Sequence, residues 1–227
     1  MFGTPLSNNY DETHININDS TIKTKVDLFY ETYIENDISN YHYEQYLADT
    51  LFCGDKSLAS GYSKTNSGFG ETDTYYAASD RFDSSNLTPT LECAKGENNT
   101  YSRYTKNSTE TTKGVKLNND LDYSIGLLSA DEVVMAGASS GKMNDSYFLY
   151  DFLDTDYAIY DCFWLMTPNA HFPGPFARNY TACNTSPSLD TTMYNPIEGS
   201  VRPVINLKAN SVVTGGNGTK GSPYTIY

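Results

Sequence analysis

Four cysteines constrain the fold of this 227-residue chain more than any other feature of its sequence. They are Cys53, Cys93, Cys162 and Cys183. They form no C-x-x-C pair and no histidine stands at zinc-ligand spacing, which favours two disulfides in an exported protein over a structural metal site. Of the three pairings that four cysteines allow, we favour the local one, Cys53 with Cys93 and Cys162 with Cys183. Four buried free thiols in a reducing compartment are the alternative.

The charge balance limits the partners of the chain. Acidic residues outnumber basic residues by 28 to 15, which gives a net charge of -13. Because phosphate binding needs clustered Lys and Arg, nucleic acid and anionic membrane surfaces are not expected partners. No window approaches about 18 consecutive apolar residues and no basic, apolar leader opens the sequence, so we expect a mature fragment without membrane insertion.

The domain organisation follows from a change in composition along the chain. We expect residues 1–18 to be a flexible N-terminal segment and 19–227 to be a single domain. Residues 54–120 are dominated by Gly, Ser, Thr, Asn and Asp and lack a sustained period. This pattern predicts a polar insertion at 54–120, for which a linker between two domains is the alternative.

Two segments predict helices. Asp19-Ser20 precedes an amphipathic pattern that ends near Asn36 to Asn40, and Ser20 is an expected N-cap. Its apolar positions are Ile22, Val26, Phe29, Tyr30, Tyr33 and Ile34. Ser129-Ala-Asp-Glu132 is a capping box that opens a second helix, and Gly137 is its natural end.

Short strands are predicted mainly in the second half of the chain. They lie at 125–128, 147–152, 162–166 and 201–207, and a hairpin around a glycine-rich turn is predicted at 211–227. Helices that precede many short strands indicate an α+β domain.

Four motifs resemble a group of bacterial surface proteins that are common in gut Firmicutes. They are Ile125-Gly-Leu-Leu-Ser-Ala-Asp-Glu-Val133, Trp164-Leu-Met-Thr-Pro168, Val201-Arg-Pro-Val-Ile-Asn-Leu207 and the closing Val213-Thr-Gly-Gly-Asn-Gly-Thr219. The C-terminal halves of these proteins have C-type-lectin-like folds of the formylglycine-generating-enzyme type, the scaffold of retroelement-diversified variable proteins. Over about residues 50–227, the resemblance implies a small twisted antiparallel sheet, two helices and long ordered loops.

The resemblance also implies a ligand-binding face between the Trp-containing and Arg-Pro-containing strands. Its candidate residues are Asn169, His171, Phe172, Phe176, Arg178, Asn179, Tyr180, Tyr194 and Asn195. Independently, residues 169–180 mix aromatic, amide, Arg and Pro residues without apolar periodicity, which predicts a loop tied at both ends by cysteines. Such a loop offers rigid aromatic anchors to a ligand at a low entropic cost of ordering. The alternative is a surface loop that binds no partner.

No catalytic or metal site is predicted. The chain has three histidines and no G-x-S-x-G motif, and we expect His171 to be an exposed loop histidine. Cys162 and Cys183 lack the spacing of a redox pair. Four aspartates without a D-x-D-x-D-G series indicate a solvated acidic loop, for which a calcium site is the alternative, and no other cofactor is expected. They are Asp151, Asp154, Asp156 and Asp161.

These observations together predict a non-enzymatic, adhesin-like binding domain at the bacterial cell surface or in the extracellular space, on a pilus or another appendage. Its partner is a glycan or a host or bacterial surface protein. Truncation of Phe176 or Tyr180 to alanine is expected to remove binding without unfolding. The alternatives are a phage or prophage receptor-binding component, and a glycosidase or thiol oxidase on the same scaffold.

Overall fold

Helices and short antiparallel strands combine in this chain, which confirms the predicted α+β class. A computed structural model describes residues 19–36, 42–63, 73–83, 87–95, 99–103, 111–112, 115–116, 121–139, 144, 162–172, 176–183, 188–193, 200–219 and 221–226. The helical elements are α1 (Thr21–Tyr30), a π-helical turn that continues it (Glu31–Glu35), a 3-10 helix (Tyr43–Tyr46), α2 (Ala77–Phe82) and α3 (Ala130–Met135). The strands are β1 (Phe52–Cys53), β2 (Thr74–Tyr75), β3 (Thr100–Tyr101), β4 (Thr111–Thr112), β5 (Val115–Lys116), β6 (Ile125–Gly126), β7 (Cys162–Phe172), β8 (Phe176–Cys183), β9 (Ser188–Met193), β10 (Val204–Ile205), β11 (Val213–Gly215) and β12 (Thr225–Ile226).

Helix α1 confirms the first predicted helix, although its buried face is narrower than predicted. The Ser20 hydroxyl caps the first turn by accepting a hydrogen bond from the backbone N–H of Lys23 at 3.1 Å. The buried apolar residues are Val26, Tyr30 and Ile34. Phe29 and Tyr33 are exposed and contact each other, because their four-residue spacing forms a separate stripe beside the buried one.

Helix α3 confirms the capping box. The Ser129 hydroxyl accepts a hydrogen bond from the Glu132 backbone N–H at 3.2 Å, and the Glu132 carboxylate accepts one from the Ser129 backbone N–H at 2.7 Å. Val133 and Val134 face the interior. Gly137 follows the helix with a φ of 109°, a left-handed conformation that favours glycine at this end.

A four-stranded antiparallel sheet with the order β2-β7-β8-β9 positions most of the candidate residues. Strand β7 is much longer than the strand predicted at 162–166. The strand continues past the predicted end at Met166 and passes through Pro168 at a shift in register. A proline is tolerated there because its missing N–H interrupts a ladder that is already irregular. The other described strands form two-stranded pairs, β1-β3, β4-β5, β6-β10 and β11-β12.

Strand β7 lies between two hydrophobic cores, because successive side chains of a strand point to opposite faces of its sheet. Phe163 and Leu165 pack into the first core, whereas Trp164 and Met166 pack against the second. The first core also contains Ala78, Phe82, Ala130, Val133, Val134, Ala138, Tyr180, Ala182 and Leu189. The second also contains Val26, Tyr30, Ile34, Leu47, Phe52, Tyr101, Leu121, Ile125 and Leu127.

The polar region 54–120 contributes to both cores. Ala78 and Phe82 of α2 belong to the first core, and Tyr101 of β3 belongs to the second. The described parts of this region are therefore packed into the two cores. Its apolar residues are too few to form a period, so their burial is not evident in the pattern of the sequence.

The C-terminal hairpin is confirmed, since β11 and β12 pair in antiparallel fashion. Gly216 has a φ of 80°, and a Cβ atom there would lie 1.9 Å from the backbone oxygen of Pro223, so the turn requires glycine. The strand predicted at 201–207 is reduced to β10. The predicted segments 1–18 and 147–152 lie outside the described residues.

Both predicted disulfides are present, Cys53 with Cys93 and Cys162 with Cys183. The second joins directly opposite residues of β7 and β8. Paired cysteines of this kind are typical of proteins from oxidising compartments. Among the described residues, no helix is long and apolar enough to cross a membrane.

Candidate functional site

The segment that was predicted to be a recognition loop is a β-hairpin. Strands β7 and β8 pair from Cys162 opposite Cys183 to Phe172 opposite Phe176. This corrects the loop predicted at 169–180. The hairpin forms because β2 and β9 extend the sheet on both sides, and these pairings are distant in sequence and invisible to local periodicity.

Four of the predicted contact residues lie inside the protein and not on an exposed face. Asn169, His171, Asn179 and Tyr180 are each at most 7% exposed. The Tyr180 hydroxyl donates a hydrogen bond to Asp83 Oδ1 at 2.8 Å, and burial, aided by the Asp83 charge, raises the pKa of this hydroxyl. Tyr180 is therefore a core residue in this structure, which corrects the expectation that it can be truncated without loss of stability.

His171 is a buried strand residue, which corrects the expectation of an exposed loop histidine. It lies on β7 opposite Thr74 of β2 and Ala177 of β8. Burial lowers the pKa of its imidazole, because the charged form loses its hydration. The neutral imidazole is therefore the form that the fold favours.

Phe172 and Arg178 reach the surface at the closed end of the hairpin, where both are half-buried. The Arg178 guanidinium carbon lies 4.8 Å from the centroid of the Phe172 ring. The Tyr75 ring meets Phe172 edge-on, with centroids 6.3 Å apart at 82°, and Tyr62 packs on Tyr75 at 5.6 Å. We call Tyr62, Tyr75, Phe172 and Arg178 the hairpin-end cluster.

The register of the sheet brings this cluster together. Ala170 of β7 lies opposite Tyr75 of β2 on one side and opposite Arg178 of β8 on the other. Residues that lie opposite each other share a face of the sheet, and Phe172 shares it because it lies two residues beyond Ala170. The small alanine leaves space for the three larger side chains to converge.

Sequence reasoning found half of this cluster. Phe172 and Arg178 were predicted, whereas Tyr62 and Tyr75 were missed because they lie about a hundred residues away in the region treated as an insertion. The Tyr75-Tyr76 pair was visible as an apolar island, but no spacing linked it to β7. Of the remaining candidates, Phe176 is the backbone partner of Phe172. Tyr194 and Asn195 lie outside the described residues.

No family model, curated protein or solved structure matches this chain. The resemblance to C-type-lectin-like surface proteins therefore rests on sequence motifs alone.

A second polar site lies beside the Cys53–Cys93 disulfide. Arg81 binds two nearly buried carboxylates, Asp55 at 2.7 Å and Asp131 at 2.9 Å, next to a cavity of about 40 Å³. Asp131 also accepts a hydrogen bond from the Thr90 backbone N–H at 2.9 Å. These contacts tie α2, α3 and the segment at 87–95 to each other, so we interpret the cluster as a structural junction.

No metal centre is evident in the part of the chain that the structure describes. No group of three or more His, Cys, Asp or Glu residues there could hold a metal ion. The four aspartates that were considered for calcium lie outside the described residues. They are Asp151, Asp154, Asp156 and Asp161.

Proposed function

We propose that this chain is an adhesin-like, non-enzymatic binding domain of a bacterial surface or secreted protein, with a C-type-lectin-like fold. It recognises a glycan or a surface protein through the hairpin-end cluster. The observation that carries the proposal is the position of the Arg178 guanidinium over the Phe172 ring, beside two tyrosines, in a hairpin whose other end is closed by a disulfide.

The composition of the cluster suits recognition of either ligand class. Aromatic rings present large apolar areas with few rotatable bonds, so they lose little entropy when a ligand binds. The guanidinium over Phe172 adds a cation–π contact that holds both side chains in place before binding. Tyrosine and arginine are also enriched among the residues that dominate binding energy at protein interfaces.

An extracellular location is supported by the covalent structure. Two disulfides form and persist in oxidising compartments, and all four cysteines are paired. The net charge of -13 favours solubility and disfavours binding to nucleic acid or anionic lipid.

The test begins with a glycan and host-protein array that is probed with the purified chain, with and without EDTA. Affinity for the best hit is then measured for Phe172→Ala, Tyr75→Ala and Arg178→Lys. We expect Phe172→Ala to weaken binding by roughly 30-fold, the effect of losing a hot-spot side chain. Arg178→Lys keeps the charge but replaces the flat guanidinium over Phe172 with a compact ammonium, so a smaller loss is expected.

Leu91→Ala is the control, because Leu91 is a 67% exposed apolar residue that lies outside the hairpin-end cluster. Thermal unfolding of every variant separates loss of binding from loss of fold. Unchanged affinity in Phe172→Ala and Tyr75→Ala would remove the hairpin-end cluster from the proposal. Loss of binding in EDTA would make recognition metal-dependent and contradict the proposed mode.

A further inference from the structure

Large hydrophobic side chains that are exposed in the described part of the chain are concentrated in one region. All but two of them, Leu91 and Met135, lie on α1 with its π-helical turn, on the 3-10 helix, or between residues 204 and 226. Apolar patches of this kind on a soluble surface mark interaction sites. This region is distinct from the hairpin-end cluster and shares no residue with it.

A groove opens among these elements. Its volume is about 170 Å³ and its lining contains no charged side chain. The lining residues are Ile34, Tyr43, Tyr46, Leu47, Ile205, Leu207 and Ile226, which we call the apolar groove. An apolar cavity of about 150 Å³ accommodates benzene, so the apolar groove is large enough for one aromatic or branched aliphatic side chain.

Backbone hydrogen bonds hold the two sides of the apolar groove together. The Ala48 N–H donates to the Asn206 carbonyl at 2.8 Å, and the Lys208 N–H donates to the Tyr46 carbonyl at 2.9 Å. These bonds flank the antiparallel bridge between Leu47 and Leu207. The groove is therefore built before a partner arrives, which lowers the entropic cost of binding.

Two exposed glutamates adjoin lining residues of the apolar groove in sequence. Glu35 follows Ile34, and Glu44 lies between Tyr43 and Tyr46. The Glu44 carboxylate lies 3.7 Å from His42 Nδ1, and the Lys208 ammonium donates to the neighbouring Gln45 carbonyl at 2.6 Å. Because the whole chain carries a net charge of -13, its long-range field favours a cationic partner.

We propose that the apolar groove binds a protein segment in which one aromatic or branched aliphatic side chain is flanked by lysine or arginine. The apolar side chain enters the groove, and the flanking cations lie against Glu35 and Glu44. Val213 extends the contact surface, because it lies opposite Ile226 on the same face of the C-terminal hairpin and is exposed. A second copy of this chain is a poor occupant, since two chains of the same charge repel each other.

The test uses the full chain with labelled Ile, Leu and Val methyl groups and three capped peptides. These are Lys-Gly-Trp-Gly-Lys, its glutamate counterpart Glu-Gly-Trp-Gly-Glu, and Lys-Gly-Ala-Gly-Lys without the anchor. We expect the first peptide to cause saturable shifts in the methyl signals of the groove residues. The glutamate peptide should bind at least about threefold more weakly, as expected for solvent-exposed charge pairs, and the alanine peptide should cause no saturable shift.

Leu207→Lys places a cation in the wall of the groove and should abolish the shifts; its side chain is already 42% exposed, so the fold should tolerate the change. Leu91→Lys is the matched control at a 67% exposed leucine outside the region, and it should bind as the parent does. If Leu207→Lys does not fold, Tyr43→Ala replaces it. Equal binding of all three peptides, absence of saturable shifts, or groove shifts caused by raising the protein concentration alone would each overturn the proposal.

Discussion

The two hairpins near the C-terminal end of the chain show what neighbouring structure does to similar strands. Hairpin β7–β8 has β2 and β9 on its two sides, a disulfide across its open end and buried residues on both faces. Hairpin β11–β12 has only its own two strands in its sheet, and Val213 and Tyr224 are exposed. An isolated two-stranded hairpin is only marginally stable in water. The first hairpin is therefore stabilised by its neighbouring strands and by both cores, whereas the stability of the second depends on the residues that it packs against.

The two hairpins also differ in how readily they could be predicted from the sequence. The β11–β12 turn was predictable because glycines mark tight turns in a sequence. In the structure, Gly216 and Gly218 both take the left-handed conformations that other residues avoid. The β7–β8 hairpin was mistaken for a loop because its sequence mixes polar and aromatic residues around several prolines. Glycines in a turn therefore identify a hairpin in the sequence even where the hairpin itself contributes little to stability.

The largest expected effect is the loss of a core tyrosine in the first hairpin. Tyr180→Ala should lower the free energy of unfolding by about 3–5 kcal/mol, because it leaves a cavity beside Phe82. Tyr224→Ala in the second hairpin should change it by less than about 0.5 kcal/mol, since Tyr224 is 60% exposed. Urea unfolding monitored by circular dichroism measures both. Equal losses would contradict the contrast between the hairpins.

The next effect concerns the covalent link across β7 and β8. Replacing both Cys162 and Cys183 with serine should cost about 3 kcal/mol, because a loop of 21 residues is no longer closed in the unfolded chain. The matched double variant at Cys53 and Cys93 should cost about 4 kcal/mol for its loop of 40 residues. Amide hydrogen exchange should still show more protection in β7–β8 than in β11–β12. If protection in β7–β8 drops to the level of β11–β12, the disulfide, and not the flanking strands, maintains the difference.

The smallest effect is the pH dependence that comes from His171. Its folded-state pKa is lowered by burial from 6.5, so the unfolded chain binds this proton more readily. The contribution of His171 to stability is therefore complete above pH 6.5 and is lost as the pH falls below that value toward the folded-state pKa. An NMR titration of the imidazole should show a midpoint below 6.5, and the variant His171→Gln should lose less stability than the parent between pH 7.5 and 5.0. A midpoint at or above 6.5 would show that the imidazole is not buried as described.

Agreement between sequence and structure is good where the cause is local. Ser20 and Ser129 cap their helices as predicted, and Gly137 follows α3. The short strand beginning at Ile125 is present, although it is shorter than predicted. In each case the residues that determine the conformation lie within a few positions of each other, so a short sequence motif is sufficient to predict it.

The candidate site was only partly predictable for the opposite reason. Phe172 and Arg178 are half-buried at the end of the hairpin, whereas the consecutive residues Asn179 and Tyr180 are both buried, because β8 is covered on both of its faces there. Strand β7 extends beyond the predicted end at Met166 and passes through Pro168, where a register shift accommodates the proline. The contact of Tyr75 with Phe172 joins positions almost a hundred residues apart.

The helix caps, the glycine turn and the α+β class follow from the sequence alone, since each depends on short-range chemistry or on residue types that tolerate few alternatives. The sequence favoured one cysteine pairing among three but did not fix it. The burial of Asn169, His171, Asn179 and Tyr180, the contacts of Tyr62 and Tyr75 with the hairpin, and the position of the apolar groove become evident only from the fold. The physical reason is that strand pairing is set by contacts between segments distant in sequence. A shift of one residue in the register of β7 would exchange the side chains that face the first core with those that face the second.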